Sequence, residues 1–304
     1  MGEFRNPCKN ASYIMIKEWI DDYKPQNQQD IFNALREIMQ EIALAGLERA
    51  GFFEKAAFYG GTALRILYGL DRYSEDLDFS LLQVDPTFSL EHYFDAVVAE
   101  FSALGITVNI KEKQKAIQSN VDSAFLKSDT VWRELVLENI LPEMGVRHLP
   151  PVKIKMEIDR EPPLGFRTEE KLLIRPFSFY IRTFDLPSLF AGEMHALLFR
   201  KSKNRVKGRD WYDLEWYIKR GVPLSTDHFL SRARDSGDWK DESISNLHIL
   251  ELLRSKIETA DFNHIRADVV RFVKDAAVLD IWDSRYFLHL TEKLRFADVG
   301  SENS

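Results

Sequence analysis

At 304 residues, with 45% hydrophobic and 29% charged residues, the chain can form a folded protein with an extensive core. Its net charge of −7 argues against a protein coated with nucleic acid, although it allows a local basic patch. No apolar run approaches the roughly 20 residues that span a bilayer, and the N-terminus lacks the apolar segment of a secretory signal. The single Cys8 cannot form an internal disulfide, so the sequence predicts a cytoplasmic protein without a membrane partner.

The first half of the chain predicts a mixture of helices and strands. Apolar residues recur at helical spacing from Asn27 to about Ala50, which predicts a long amphipathic helix. The predicted elements that follow are a strand over 56–60, a helix over 62–69, a strand over 76–82, a helix over 88–104 and a strand over 106–112. Between 116 and 150 the pattern is ambiguous, with a weak strand signal at 121–127.

The run VKIKMEID, from Val152 to Asp159, alternates apolar and charged residues and predicts a half-buried strand. From Pro187 onward, helical patterns predominate, over 187–201, 209–220, 225–236, 244–259, 263–279 and 284–297. The predicted fold is therefore α/β, with an α/β domain over 1–185 and a mainly helical domain over 186–304 that completes a cleft.

Two glycines and two aspartates lie close together in the stretch FYGGTALRILYGLDRYSEDLDFSLL, residues 58–82. Gly60 and Gly61, at a strand-to-helix turn, let the backbone approach a ligand, and the N–H groups at the helix start can bind an anion. Asp76 and Asp78 share one face of a strand, and aligned carboxylates hold a divalent metal. Either half alone is more typical of a tight turn or of solvated aspartates, but the combination predicts phosphoryl or nucleotidyl transfer.

The VKIKMEID strand carries two candidates for a third acid. On an ideal strand Lys153, Lys155, Glu157 and Asp159 share one face, and a neighbouring position would bring Glu157 or Asp159 towards the aspartate pair. Taken alone, the pattern is more often a solvated sheet face. Glu157 is favoured over Asp159 because it lies in the middle of the strand, where the backbone is well held.

A third feature is a basic run within RKSKNRVKGRDWYDLEWY. Its basic residues, which could hold phosphates, are Arg200, Lys201, Lys203, Arg205, Lys207 and Arg209. A generic charged loop explains the run about equally well. Asp210 fits the N-terminus of the following helix, and Trp211 fits its buried face.

The stretches GGTALRILYG, DRYSEDLDFSLL, KIKMEID and FRKSKNRVKGRDWYDL, taken in this order, resemble the AbiEii/AbiGii toxin family of nucleotidyltransferases. This family belongs to the DNA polymerase β-like superfamily and includes toxins of type IV toxin–antitoxin and abortive-infection systems. The resemblance covers residues 60–214 and implies a polymerase β-like core with a mixed sheet. It also implies NTP as substrate, Mg²⁺ or Mn²⁺ as cofactor, an RNA acceptor such as the tRNA 3′ end, and a cognate antitoxin.

Matched to this sequence, the family motifs assign Asp76, Asp78 and Glu157 as catalytic metal ligands and Asp213 as a further catalytic aspartate, in the RDxYD element. The residues implied in nucleotide binding are Gly60, Gly61, Thr62, Arg65, Ser74, Lys201, Arg205, Lys207 and Arg209.

One position departs from the family pattern, which carries a lysine shortly before the MHALL segment, where this chain has Glu193. A reversed charge there would weaken nucleotide binding. Glu193 thus leaves open a catalytically impaired nucleotide-binding regulator, and a transferase that acts on a small molecule or a protein stays open as a separate alternative.

Overall fold

The computed structural model describes residues 7–111, 130–137, 151–200 and 207–297. It begins with helices α1 (Pro7–Asp22) and α2 (Gln28–Arg49). Helix α2 confirms the predicted long helix and is capped at its N-terminus by Asn27, whose side chain accepts a hydrogen bond from the Asp30 N–H. The sequence analysis missed α1.

Seven strands of the described residues form one mixed sheet, with the order β3-β4-β5-β2-β1-β7-β6. Their bounds are β1 (Ala56–Tyr59), β2 (Asp76–Leu81), β3 (Val108–Lys111), β4 (Thr130–Leu137), β5 (Val152–Asp159), β6 (Thr168–Leu173) and β7 (Phe179–Phe184). Strand β2 runs antiparallel to β1 and parallel to β5, while β1 is parallel to β7. The mixed-sheet fold class is thus confirmed.

Strands β1, β2, β3 and β5 lie where the sequence predicts strands. The signal at 121–127 falls outside the described residues, and β4 lies beyond it in the chain. Strands β6 and β7 were missed. Half of the residues of β6 (TEEKLL) are charged, and among the described strands β6 is the last of the sheet and is paired on one side only. Its sequence therefore lacks the apolar alternation of a half-buried strand.

Helices fill the rest of the described chain. They are α3 (Gly60–Tyr68), α4 (Phe94–Ala103), α5 (Leu186–Phe199), α6 (Gly208–Lys219), α7 (Thr226–Asp235), α8 (Asn246–Glu258), α9 (Phe262–Val269) and α10 (Ser284–Thr291). None of the helices in these residues is long and apolar enough to cross a membrane.

Two of the predicted C-terminal helices are shorter than expected. The helix predicted over 263–279 ends at Val269 and is followed by two 3₁₀ turns, Val270–Phe272 and Ala276–Leu279. At the start of the second turn Asp275 accepts a hydrogen bond from the Ala277 N–H. The helix predicted over 284–297 ends at Thr291, and β9 (Arg295–Phe296) instead pairs with β8 (Pro223–Leu224).

The sheet separates two hydrophobic clusters. Phe58 belongs to the cluster beneath α2 and α4, whereas its neighbour Ala57 and the last residue of β7, Phe184, belong to the cluster of the C-terminal helices. Successive strand residues point to opposite faces, so α5 and the helices after it pack on the second face of the sheet. The boundary at residue 185 stays a prediction.

Candidate active site

Three predicted acids come together on the second face of the sheet. In the parallel pairing of β2 with β5, Asp78 lies opposite Glu157 and Asp76 lies opposite Lys155. The intervening Leu77 is buried on the other face, so the charged side chains of both strands point into one cleft.

The acids repel each other in the absence of a cation. The pKa of Asp78 lies well above its ordinary value, first because of burial and then because of the negative charges of Glu157 and Asp76. Burial also raises the pKa of Asp76, an effect that the Lys155 ammonium opposes. The arrangement therefore favours any ligand that brings positive charge to this face.

The fit to a divalent metal is good for the aspartate pair and incomplete for the third acid. Two carboxylates two residues apart supply hard oxygen ligands of the type that Mg²⁺ or Mn²⁺ prefers. Glu157, however, forms an ion pair with Lys155. Within the described part of the chain, no three or more His, Cys, Asp or Glu side chains are grouped as metal ligands. Lys155 therefore competes with a metal for the Glu157 carboxylate.

Gly60 is required where α3 begins beside Asp78. Its φ angle of +79° lies in the left-handed region, and a Cβ atom at this position would lie 2.7 Å from Asp78 Oδ2. The start of α3, where backbone N–H groups are available for an anion, is thereby held directly against one of the acids.

Gly61, which has no side chain, lets Arg72 and Ser74 lie close to the backbone at the start of α3. A Cβ atom there would lie 2.7 Å from Arg72 Nη2 and 3.2 Å from Ser74 Oγ. Ser74 is partly buried, and the structure brings its hydroxyl close to Gly61. The Arg72 guanidinium thus packs against the backbone at the start of α3.

Arg72 is held there by Asp213 of α6. Arg72 Nε donates to Asp213 Oδ1 at 2.6 Å, and Arg72 Nη2 donates to the other carboxylate oxygen. The side chains of Arg72 and Asp213 are 4% and 0% exposed. Both Asp213 oxygens are thus engaged by Arg72, so Asp213 positions that residue, and the expected catalytic role of Asp213 stays a prediction. The sequence analysis missed Arg72, although it lies within the DRYSEDLDFSLL motif.

Two further predicted nucleotide ligands have structural roles. Thr62 is fully buried and its hydroxyl donates to the Asp76 carbonyl oxygen, so it fixes the start of β2. Arg65 donates through Nε to Glu37 at 2.8 Å and through Nη1 to the Leu70 carbonyl at 2.8 Å. Both side chains have partners within the fold, and their expected roles in nucleotide binding stay predictions.

Part of the predicted basic run reaches the cleft. The Arg209 guanidinium lies 4.4 Å from the Phe272 ring centroid, and its positive charge lowers the pKa of Asp76. Burial lowers the pKa of Lys207, and the nearby charge of Arg200 adds to this effect. Lys201 and Arg205, like Lys203, lie outside the described residues.

Glu193 of α5 faces the same cleft. Burial raises its pKa to about 7, and the charges of Asp213 and Asp210 add to this, while Arg72 and Arg200 oppose it. The charge of Glu193 in turn raises the pKa of Asp78. The position where the family pattern carries a lysine is therefore occupied by an acid that lies among both acids and arginines.

A family model described as "Nucleotidyl transferase AbiEii toxin, Type IV TA system" matches residues 42–289 of the chain. The match includes the whole of the cleft described above, from the glycine turn to α6. No curated protein matches the chain.

Several solved structures are similar to the chain at low identity. A candidate nucleotidyltransferase from Helicobacter pylori is 18% identical, with a TM-score of 0.46, over 84% of this chain and 89% of its own. The nucleotidyltransferase toxin MenT4 from Mycobacterium tuberculosis is 14% identical, with a TM-score of 0.47, over 93% of this chain and 87% of its own. At these values the superpositions do not establish a residue correspondence.

Proposed function

Since the chain belongs to the AbiEii family of nucleotidyltransferase toxins, we propose that it transfers nucleotides from an NTP to RNA, with the tRNA 3′ end as acceptor. The observation that carries the proposal is the Asp76–Asp78 pair, packed against the glycine turn at the start of α3. A phosphate-binding turn beside paired carboxylates suits a reaction that must both hold and activate a nucleoside triphosphate. The family further supports a cognate antitoxin as partner.

The residues of the chain supply binding and orientation. The backbone N–H groups at the start of α3 bind phosphate oxygens, while Gly61 keeps that backbone accessible and Arg72 holds it in place. Arg209, beside Asp76, contributes positive charge to the same end of the cleft. This end therefore receives the triphosphate.

Asp76 and Asp78 would hold Mg²⁺ or Mn²⁺, with Glu157 joining them once Lys155 releases it. When bound, the metal neutralises the triphosphate and lowers the pKa of the acceptor hydroxyl. In the reaction an acceptor oxygen forms a bond to the α-phosphorus, the bond from the α-phosphorus to the bridging oxygen breaks, and pyrophosphate leaves. The hydroxyl proton passes to a carboxylate of this face.

The decisive experiment incubates the purified chain with each of four α-labelled NTPs, Mg²⁺ and total cellular RNA, and in parallel with total protein. Label in a tRNA-sized band that becomes resistant to aminoacylation supports the proposal. Label only in protein or in a small molecule would reassign the acceptor. Asp78→Asn is the matched inactive control.

Glu193 favours one second candidate, a nucleotide-binding regulator with impaired turnover, because it adds an acidic side chain close to Asp78. Glu193→Lys restores the charge that the family pattern carries there. Transfer that is absent in the original chain and present in this variant would favour the regulator; comparable transfer in both would eliminate it.

A further inference from the structure

Gln40 of α2 is a fully buried polar side chain that reaches the chain just before the aspartate pair. Its Nε2 donates to the Glu75 carbonyl oxygen at 3.0 Å and to the Ser74 carbonyl oxygen at 3.4 Å. Its Oε1 is buried and has no hydrogen-bond partner within the described residues. Because a buried acceptor without a partner costs free energy, Gln40 contributes hydrogen bonding to the fold through its two donations.

The two carbonyl groups stand just before Asp76, at the end of β2 that extends beyond β1. Asp78 is paired on both sides, with Tyr59 of β1 and with Glu157 of β5. Tyr59 is the last residue of β1, so Asp76 lies beyond that pairing and has only Lys155 of β5 opposite it. In the described sheet, the backbone at Asp76 is therefore held by a neighbouring strand on one side only.

Side chains from two helices bind the backbone at this end of β2. Thr62 of α3 donates its hydroxyl to the Asp76 carbonyl oxygen, and Gln40 binds the two carbonyl groups before it. Three successive carbonyl groups are thus fixed by two side chains. Arg36, one turn earlier on α2, adds an ion pair to Glu75 at 2.8 Å, but the Glu75 side chain is 44% exposed, and ion pairs of exposed groups contribute little. Gln40 is therefore the residue through which α2 holds this backbone.

The position of Asp76 relative to Asp78 decides whether both carboxylates can bind one metal ion. Such groups must be held to within about 0.5 Å of the productive geometry, whereas the repulsion between neighbouring acids acts to separate them. We propose that Gln40 is a positioning residue for metal binding, which keeps Asp76 beside Asp78 by fixing the backbone that leads into β2. This inference rests on the proposed function, because it takes the aspartate pair as the metal site.

The test compares Gln40→Met, which keeps the length of the side chain but removes its donors, with Leu35→Ala. Leu35 is a buried core residue of α2 that lies on a different face of the helix. Calorimetry on the nucleotide-free protein measures Mn²⁺ affinity, and urea denaturation measures stability. Both variants should be less stable than the original chain. For Gln40→Met we expect about tenfold weaker Mn²⁺ binding, whereas Leu35→Ala should stay within about twofold of the original affinity.

Gln40→Asn provides a second variant if methionine impairs folding, because it keeps the amide but shortens the side chain by one methylene; it should also weaken Mn²⁺ binding. Unchanged Mn²⁺ affinity in the folded Gln40 variant, or an equal loss in Leu35→Ala, would overturn the inference even if label transfer to RNA is observed. Conversely, an affinity loss confined to the Gln40 variants, in a chain that transfers no label, would uphold the inference and count against the proposed reaction. An original chain that binds no Mn²⁺ would overturn the inference, while label transfer by that chain would still support the proposed function.

Discussion

Asp213 engages Arg72 through both of its carboxylate oxygens, and this buried pair joins α6 to the turn that begins α3. The two residues are 141 positions apart in the sequence. One contact of the C-terminal helices with the active site is therefore this ion pair, whose arginine lies against Gly61.

Removing the Asp213 carboxylate should destabilise the folded protein. Asp213→Ala leaves the Arg72 guanidinium buried without its partner, which we expect to lower the free energy of unfolding by about 3–5 kcal/mol. Urea denaturation measures the loss. Transfer should fall as well, because Arg72 no longer fixes the start of α3.

The apolar double variant Arg72→Met/Asp213→Leu separates stability from function. Replacement of both partners should recover most of the lost stability, since no charge stays buried, while transfer remains low. An Asp213→Ala variant that is fully stable but inactive would instead indicate that the carboxylate contacts the reacting groups.

Removing one charge of the Asp76–Asp78 pair should not destabilise the metal-free protein, in contrast to the loss of Asp213. Asp78→Asn removes a charge that is buried among Glu157 and Asp76, so the metal-free protein should be as stable as the original or more stable by about 1 kcal/mol. Transfer should be abolished. Thermal melting in EDTA and the labelled-NTP assay measure the two effects, with the exposed Asp241→Asn as control. Full activity in Asp78→Asn would refute the assignment.

The sequence predicted the acids because alternation along a strand is a local property. Asp76 and Asp78 share a face wherever β2 is placed, and VKIKMEID shows its half-buried character on its own. The parallel register that brings Glu157 opposite Asp78 depends on the packing of the whole sheet, so the sequence could only suggest it.

The sequence could not show the internal partners of polar side chains when those partners are distant along the chain. Thr62, Arg65 and Asp213 lie in or beside motifs, but a motif does not reveal whether a polar group faces a ligand or a buried partner.

Gly60 should tolerate no side chain. Gly60→Ala places a Cβ atom 2.7 Å from Asp78 Oδ2 and also forces alanine into a left-handed backbone. The backbone alone should cost about 1–2 kcal/mol, and the overlap should add about 1–3 kcal/mol while it displaces Asp78. Denaturation and transfer assays measure these effects.

Gly237→Ala is the matched control, because Gly237 has a similar φ of +75° and nothing within 4 Å of an added Cβ atom. It should show only the backbone cost and keep its activity. Equal losses of stability and activity in the two variants would show that contact with Asp78 is unimportant.

Lys155 should compete with the metal for Glu157. Lys155→Met breaks the ion pair and leaves the acids with one more uncompensated negative charge. We therefore expect Mn²⁺ to bind several-fold more tightly, measured by calorimetry on the nucleotide-free protein. Lys153→Met, on the same strand but exposed, is the control. Unchanged Mn²⁺ affinity in Lys155→Met would remove Glu157 from the metal site.

Glu157 and Asp159 can be ranked directly. Glu157 lies opposite Asp78, whereas Asp159 lies opposite Ser80, one pleat further along the strand. Glu157→Gln should therefore reduce transfer by more than about tenfold, and Asp159→Asn should reduce it less. Comparison of kcat/KM for the two variants tests the order, and an equal or greater loss at Asp159 would reverse it.

Glu193 should make both stability and nucleotide binding depend on pH. Its pKa is about 7 in the folded protein against an ordinary 4.5. Below pH 4.5 the carboxyl is protonated in both the folded and the unfolded chain and has no effect. Between pH 4.5 and about pH 7, Glu193 is ionised in the unfolded chain but still largely protonated in the folded protein. The free energy of unfolding therefore falls as the pH rises, and the decrease is complete above about pH 7.

Glu193→Gln removes this titration. The variant should match the original chain near pH 4 and exceed it by on the order of 1–2 kcal/mol at pH 8. At pH 8 it should also bind NTP more tightly, because the ionised Glu193 otherwise adds negative charge close to Asp78, and the advantage should disappear near pH 5.5. Denaturation and NTP titration at several pH values measure both effects. An advantage in NTP binding that is the same at every pH would mean that the glutamate acts through its shape and not through its charge.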